Sequence, residues 1–247
     1  MAARSRRAAV AATTAAALLT AATGCWIGAN TPRHTWFGAL TSTGSRSDRR
    51  VALTFDDGPN ADATLAIRDL LDANGVKGTF FEVGKAVDAR PDVTRALIVD
   101  GHLVGNHSYT HDQLHWLDPW YRELGQTEAA IRRDAGVCPA FFRPPHGQHT
   151  PAMALVVHRH AMAMVGWDVS AGDWATRDPR LVADRVLRKV RPGSIIDLHD
   201  GLDGDVTSDR SVVAQALPMI LAGLQQKGLQ PVRLDDLLGR PGYLGRC

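Results

Sequence analysis

The chain has 247 residues, 45% apolar and 22% charged, with a formal net charge of +2. That length accommodates one α/β barrel or two small domains, and the composition excludes a globally disordered chain. Setting aside Arg4, Arg6 and Arg7 of the acid-free first 24 residues leaves a net charge of about −1, so nothing points to nucleic-acid binding.

Those arginines form a basic n-region ahead of the Ala/Leu-rich run Ala8–Ala22, which is too short and alanine-rich for a comfortable membrane span and ends in small residues. Residues 1–24 therefore read as an export signal. Residues 25–49, rich in Gly, Ser, Thr and Arg, read as a flexible tether to a single domain over 50–247. Within that domain, strands are predicted at Val51–Phe55, Thr79–Val83, His102–Asn106, Ala140–Arg143, Met162–Val169, Ser194–Leu198 and Gln230–Leu234. Helical spacing falls between them, at Asp62–Ala73, Ala86–Val99, Pro119–Ala135, Pro151–His160, Pro179–Val190 and Ser211–Lys227. Alternating strands and helices imply about seven parallel strands joined by right-handed crossovers, in a barrel or a doubly wound open sheet.

In a parallel barrel the chemistry sits at the carboxyl ends of the strands. The first predicted strand ends in Asp56-Asp57 of LTFDDGP, and the third in His107 and His111 of GNHSYTH. The fourth ends in Arg143-Pro-Pro-His-Gly147, the fifth runs into Asp168 and SAGDW, and the sixth ends in His199-Asp200. Alone, Asp-Asp-Gly-Pro is a turn with one acid capping the next helix. Two histidines four apart can reach one ion from one face of a helical turn, and an added carboxylate completes a set with open positions. One aspartate is then a ligand, while its neighbour takes a proton from the attacking water. Arg143 keeps a carboxylate ionised, and His199 is placed to protonate a leaving group.

In order and spacing, LTFDDGP, HSYTH, FRPPHG, SAGDW and IIDLHD resemble the five motifs of the polysaccharide deacetylases, the NodB-homology family or carbohydrate esterase family four. The resemblance covers about residues 50–238 and implies a distorted (β/α) barrel. It implies Asp56 as catalytic base, Arg143 as its positioner, and Asp57, His107 and His111 as ligands of a divalent metal, usually Zn2+. His199 becomes the acid, tuned by Asp173, and the backbone N–H at His146 an oxyanion donor. Trp174 and Pro145 fall in the substrate subsite. Two positions depart from the family: His146 replaces a common tyrosine, and Asp197 replaces the leucine that walls the pocket for the acetyl methyl. Either the pocket is built differently or the acyl group is not acetyl; otherwise Asp197 points elsewhere and Leu198 or Ile196 forms the wall.

The implied function is removal of N-acetyl groups from an extracellular, chitin-like or peptidoglycan polysaccharide by a monomeric enzyme. The alternatives are O-acetyl ester hydrolysis on xylan-type glycans and an inactive cell-wall-binding relative. Trp116 and Trp120 offer a sugar platform or packing, and the acidic loop at Asp203 and Asp205 is weak for calcium. Cys25 follows Ala-Ala-Thr-Gly24, which resembles a lipoprotein cleavage site with Ala22 where leucine is usual. Lipidation of Cys25 would give membrane attachment and leave Cys138 and Cys247 as a pair; a plain signal would give a secreted enzyme with a spare thiol.

Overall fold

The computed structural model describes residues 2–31, 33, 35 and 38–247. The N-terminal helix α1 (Ala2–Ala29) leads to β1 (Leu40–Thr41). Then come β2 (Arg50–Asp56), α2 (Ala63–Ala73), β3 (Thr79–Glu82), α3 (Gly84–Ala89), α4 (Pro91–Val99) and β4 (Leu103–Asn106). After α5 (Arg122–Ala135), β5 (Cys138–Pro139), β6 (Phe141–Phe142) and α6 (Pro151–Arg159), the chain forms β7 (Ala163–Val165), β8 (Val169–Ser170) and α7 (Pro179–Lys189). It closes with β9 (Ile195–His199), α8 (Ser211–Gln226), β10 (Gln230–Val232), α9 (Leu234–Leu238) and β11 (Tyr243–Leu244).

Among the described residues, one parallel sheet runs β1-β7-β6-β4-β3-β2-β9-β8, with β10 added beside β2. With its surrounding helices this is a distorted (β/α) barrel, as expected. Strand alternation divides the core into two layers. Leu53 and Phe55 of β2 and Ile196 and Leu198 of β9 face outward to α2, α7 and α8, where every one is fully buried. The intervening Thr54, Asp56 and Asp197 are equally buried but face inward. Two registers matter for function: Thr54 lies opposite Asp197, and Asp56 opposite His199.

Three differences from the expected elements have local causes. Pro91 lacks an N–H, so the helix expected over Ala86–Val99 breaks into α3 and α4 at Arg90. The run Met162–Val169 splits into β7 and β8, because after Val165 the chain leaves β7's neighbours and rejoins the sheet against β9. Within 25–49, Leu40 and Thr41 pair with β7, and Thr43 bridges Ser194 just before β9. Residues 40–44 thus lie across the gap between the two ends of the sheet, stitched in by Leu40, which is buried against Phe142 and Met164. Two residues are too few to show a period of two in the sequence.

Cys138 and Cys247 form a disulfide, with Cα atoms 5.3 Å apart, beside the antiparallel pair β5–β11. It closes a loop of roughly one hundred residues, worth about 2–4 kcal/mol in typical cases. Cys25 is free and exposed. No described helix is long and apolar enough to cross a membrane.

Candidate active site

The ends of β2, β4 and β9 bring their terminal residues together. Asp56 ends β2 and Asp57 follows it with φ +76°, a left-handed conformation that turns its carboxylate back over the sheet. This turn is packed without slack: a Cβ on Gly58 would collide with the Asp200 carboxylate, and one on Gly201 with the Asp57 backbone carbonyl. Asp200 itself is buried beside the turn, where its carboxyl accepts a hydrogen bond from Thr64 and burial pushes it up to about 7.

His107 follows β4. Its Nε2 lies 3.3 Å from Asp57 Oδ1, and the Nε2 of His111 lies 3.1 Å from the same oxygen. The segment joining the two histidines is not the helical turn expected. Ser108 and His111 adopt φ +67° and +60°, so the chain loops back on itself. Three polar side chains hold that loop: Asn106 accepts from Ser108 N, Ser108 Oγ from His111 N, and Glu123 of α5 from the N–H groups of Tyr109 and Thr110. The imidazoles end 5.0 Å apart.

Asp57, His107 and His111 offer three ligand atoms, all within 4.8 Å of one another and all buried. Both imidazoles converge on the one oxygen Asp57 Oδ1. Burial alone would raise the Asp57 carboxyl, but the His107 hydrogen bond and the charges of His111 and His199 outweigh it and hold it far below the usual carboxylate range. Two nitrogens and one anionic oxygen, with solvent access on one side, are compatible with a divalent metal.

Asp56 is held differently. Arg143, fully buried after β6, donates from Nη1 to Asp56 Oδ1 at 2.7 Å and to Thr54 Oγ1 at 2.7 Å. Its guanidinium lies 4.2 Å from the Phe81 ring centroid. Breaking such a buried pair typically costs about 3–5 kcal/mol. The Arg143 carbonyl accepts from His107 Nδ1 at 2.8 Å, which leaves Nε2 aimed at Asp57. One arginine therefore fixes a carboxylate through its side chain and a histidine through its backbone.

Across the mouth, His199 Nδ1 lies 3.2 Å from Asp173, whose other oxygen pairs with Arg210. Burial would lower the His199 imidazole, yet the carboxylates of Asp173 and Asp197 outweigh it and hold it well above its ordinary value. Trp174 stands half-exposed at the rim, its ring 5.0 Å from that of His199. His146, at φ +55°, sets its ring 4.8 Å from His111. Asp56, Asp57, His107, His111, His146, Trp174 and His199 border one cavity of about 520 Å³, with Asp173 and Arg210 behind it.

Several expected positions fall elsewhere. Leu198 and Ile196 pack in the outer core and do not border the cavity, because alternation along β9 gives the inner face to Asp197 and His199. Asp197 does border it, nearly fully buried, and burial pushes its carboxyl up to about 7. Pro145 is buried in the turn that presents His146 and does not border the cavity. Asp168 is not at the mouth: it accepts from Arg46, Ser194 and the N–H of Ile195, tying residues 46 and 168 to the start of β9. Asp203 pairs with His111 Nδ1 at 2.9 Å and its N–H donates to Asp57 Oδ2, so this loop supports the cluster. The Trp116 side chain lies outside the described residues, and Trp120 is exposed. Sequence reasoning missed Glu123 and Arg210, which no motif marks, and the role of Thr54, which lies inside LTFDDGP but accepts from an arginine 89 residues away.

The architecture and the clustered acids and histidines at its strand ends define a (β/α) barrel with a metal-compatible polar mouth. The polysaccharide deacetylase profile matches residues 43–165. A peptidoglycan-N-acetylglucosamine deacetylase of Listeria monocytogenes is 30% identical over 82% of this chain, which spans 41% of that relative's length. A chitooligosaccharide deacetylase of a Bradyrhizobium strain is 34% identical over 76% of this chain and 90% of its own. The crystal structure of the Bc1960 peptidoglycan N-acetylglucosamine deacetylase superposes with a TM-score of 0.76 at 29% identity, covering 83% of this chain and 95% of that one. The chain belongs to the polysaccharide deacetylase family.

Proposed function

We propose that this chain is an exported, metal-dependent hydrolase that removes N-acyl groups, acetyl in the simplest case, from an amino-sugar polysaccharide. The observation that carries the reading is the division of labour between adjacent acids: Asp57 faces two imidazoles at 3.1 and 3.3 Å, while Asp56 is held by Arg143 at 2.7 Å and keeps His107 at 3.7 Å. In this reading Asp56 orients a water and accepts its proton as the oxygen adds to the amide carbonyl carbon. The backbone N–H at His146 donates to the developing oxyanion. The carbon–nitrogen bond then breaks, and His199, kept protonated by Asp173, delivers a proton to the departing amine. Trp174 offers its indole face to the sugar at the rim.

Asp57, His107 and His111 would hold the ion, and two nitrogens with one carboxylate suit zinc. When bound, such an ion supplies a fixed positive charge that polarises a carbonyl and eases ionisation of water. The arginine-led, alanine-rich start of the chain supports export, with Cys25 as the point of lipid attachment if one is made. The test is acid release from chitin oligomers, peptidoglycan and acetylated xylan, with and without a chelator. Chelator-sensitive release from the amide substrates is expected. Release from xylan alone would make the enzyme an esterase, and chelator-insensitive turnover would remove the metal.

A further inference from the structure

The inner wall of the cavity is polar where a hydrocarbon would be cheapest. Ser170 of β8 lies opposite Asp197 of β9 in the parallel ladder, so the two side chains stand together on one face, and both border the cavity. Asp197 is 1% exposed. Neither of its oxygens, nor Ser170 Oγ, has a hydrogen-bond partner. The Arg143 guanidinium reaches to 3.7 Å from Asp197 Oδ1, beyond hydrogen-bond length, and its Nη1 already donates to Asp56 and Thr54, while the His199 imidazole stands in the same cluster without a hydrogen bond to Asp197. An unsatisfied buried polar group is destabilising, and more so if charged. Three such atoms on paired strands, beside the buried Ile195, Ile196 and Leu198 of β9, point to a ligand that partners them.

The position says which part of a substrate that is. Asp56, Asp197 and His199 bring their ligand-capable atoms within 4.8 Å of one another. A carbonyl carbon attacked from Asp56 with its nitrogen toward His199 has its sugar at the open rim, beside Trp174 and Leu202, which are 53% and 42% exposed. The acyl substituent is left to point inward, at Asp197 and Ser170. A methyl group there would strand all three polar atoms. A hydroxymethyl group adds one oxygen that partners two of them: an ionised Asp197 accepts its proton through one carboxylate oxygen, a protonated Asp197 donates to it, and Ser170 supplies the complementary partner.

We propose that Asp197, with Ser170, selects an N-acyl group bearing a hydroxyl on the carbon next to the carbonyl, hydroxyacetyl in preference to acetyl. This rests on the hydrolase reading above and specifies its acyl group. Water adds its oxygen to the carbonyl carbon, the carbon–nitrogen bond breaks, and hydroxyacetic acid and a free amine result. The experiment compares matched oligomers of N-hydroxyacetyl- and N-acetylglucosamine, with kcat/KM for both and thermal melting for each variant. The wild type is expected to favour the hydroxyacetyl oligomer by about tenfold or more. Asp197→Leu should move the ratio toward acetyl by at least that factor, and Asp197→Asn should keep part of the preference because its amide still accepts. If the leucine variant does not fold, Asp197→Ala reads the same ratio. A wild type that prefers acetyl, or a ratio unchanged when Asp197 is replaced because both rates fall together, overturns the inference and leaves the hydrolase reading standing. No release of either acid overturns both.

Discussion

At the scale of single residues, the site works by giving chemically identical groups different surroundings. Asp56 and Asp57 are neighbours in sequence, yet one meets a guanidinium and the other two imidazoles. His107 and His199 differ in the same way. His107 has Nδ1 on a backbone carbonyl, which aims its other nitrogen as a ligand. His199 has Nδ1 on a carboxylate, which favours its charged form. That contrast predicts a pH effect. The Asp173 charge is the largest influence raising the His199 imidazole, against a burial that lowers it. Removing the charge lowers that imidazole, and Arg210, left without its partner, pushes the same way. A protonated acid is needed for amine departure, so the alkaline limb of kcat in Asp173→Asn should move to lower pH, with the acidic limb in place. A profile that loses height without moving would show that Asp173 does not tune His199.

At the scale of elements, the strands explain why so much of the site is legible in the sequence. Parallel strands place their last residues at one mouth, so acids and histidines after each apolar run fall together without knowledge of packing. Asp56, His107, Arg143 and His199 follow that rule. Asp168 breaks it, because β8 begins after Asp168 and leaves it tied to the start of β9. Loop geometry is less legible. The HSYTH pair converges through two left-handed residues and a Glu123 carboxylate from the following helix, which no spacing rule encodes. The least legible element is β1, where two residues close the gap in the sheet. Leu40 tests it. If β1 is part of the barrel, Leu40→Ala should cost about 2–5 kcal/mol, and in a domain of this size each kcal/mol lowers Tm by roughly 2–4 °C. A melting shift near zero would return residues 40–44 to a tether, where surface substitutions stay within about 0.5 kcal/mol.

At the scale of the molecule, the helices and outer core hold the strands while the inner face carries an apolar layer that includes Ala52 and Ile195 and gives its mouth end to polar chemistry. Leu53, Phe55, Ile196 and Leu198 fill the outer layer, and Thr54, Asp56, Asp197 and His199 alternate with them on the inner side. Fold and site are therefore two faces of the same strands, and the disulfide between Cys138 and Cys247 fastens the C-terminus to this frame away from the mouth. The central claim is that this mouth hydrolyses an N-acyl amino sugar with Asp56 as base. Its most direct measurement follows acid and free amine released together from N-acylglucosamine oligomers by the wild type and Asp56→Asn, each checked for folding by thermal melting and for metal content. The wild type should release both in equal amounts. Asp56→Asn should keep its metal and lose about 10²–10⁴-fold in kcat, because the amide cannot accept the water's proton. A folded, metal-loaded Asp56→Asn protein that turns over at the wild-type rate, or a wild type that releases neither product, would contradict the account.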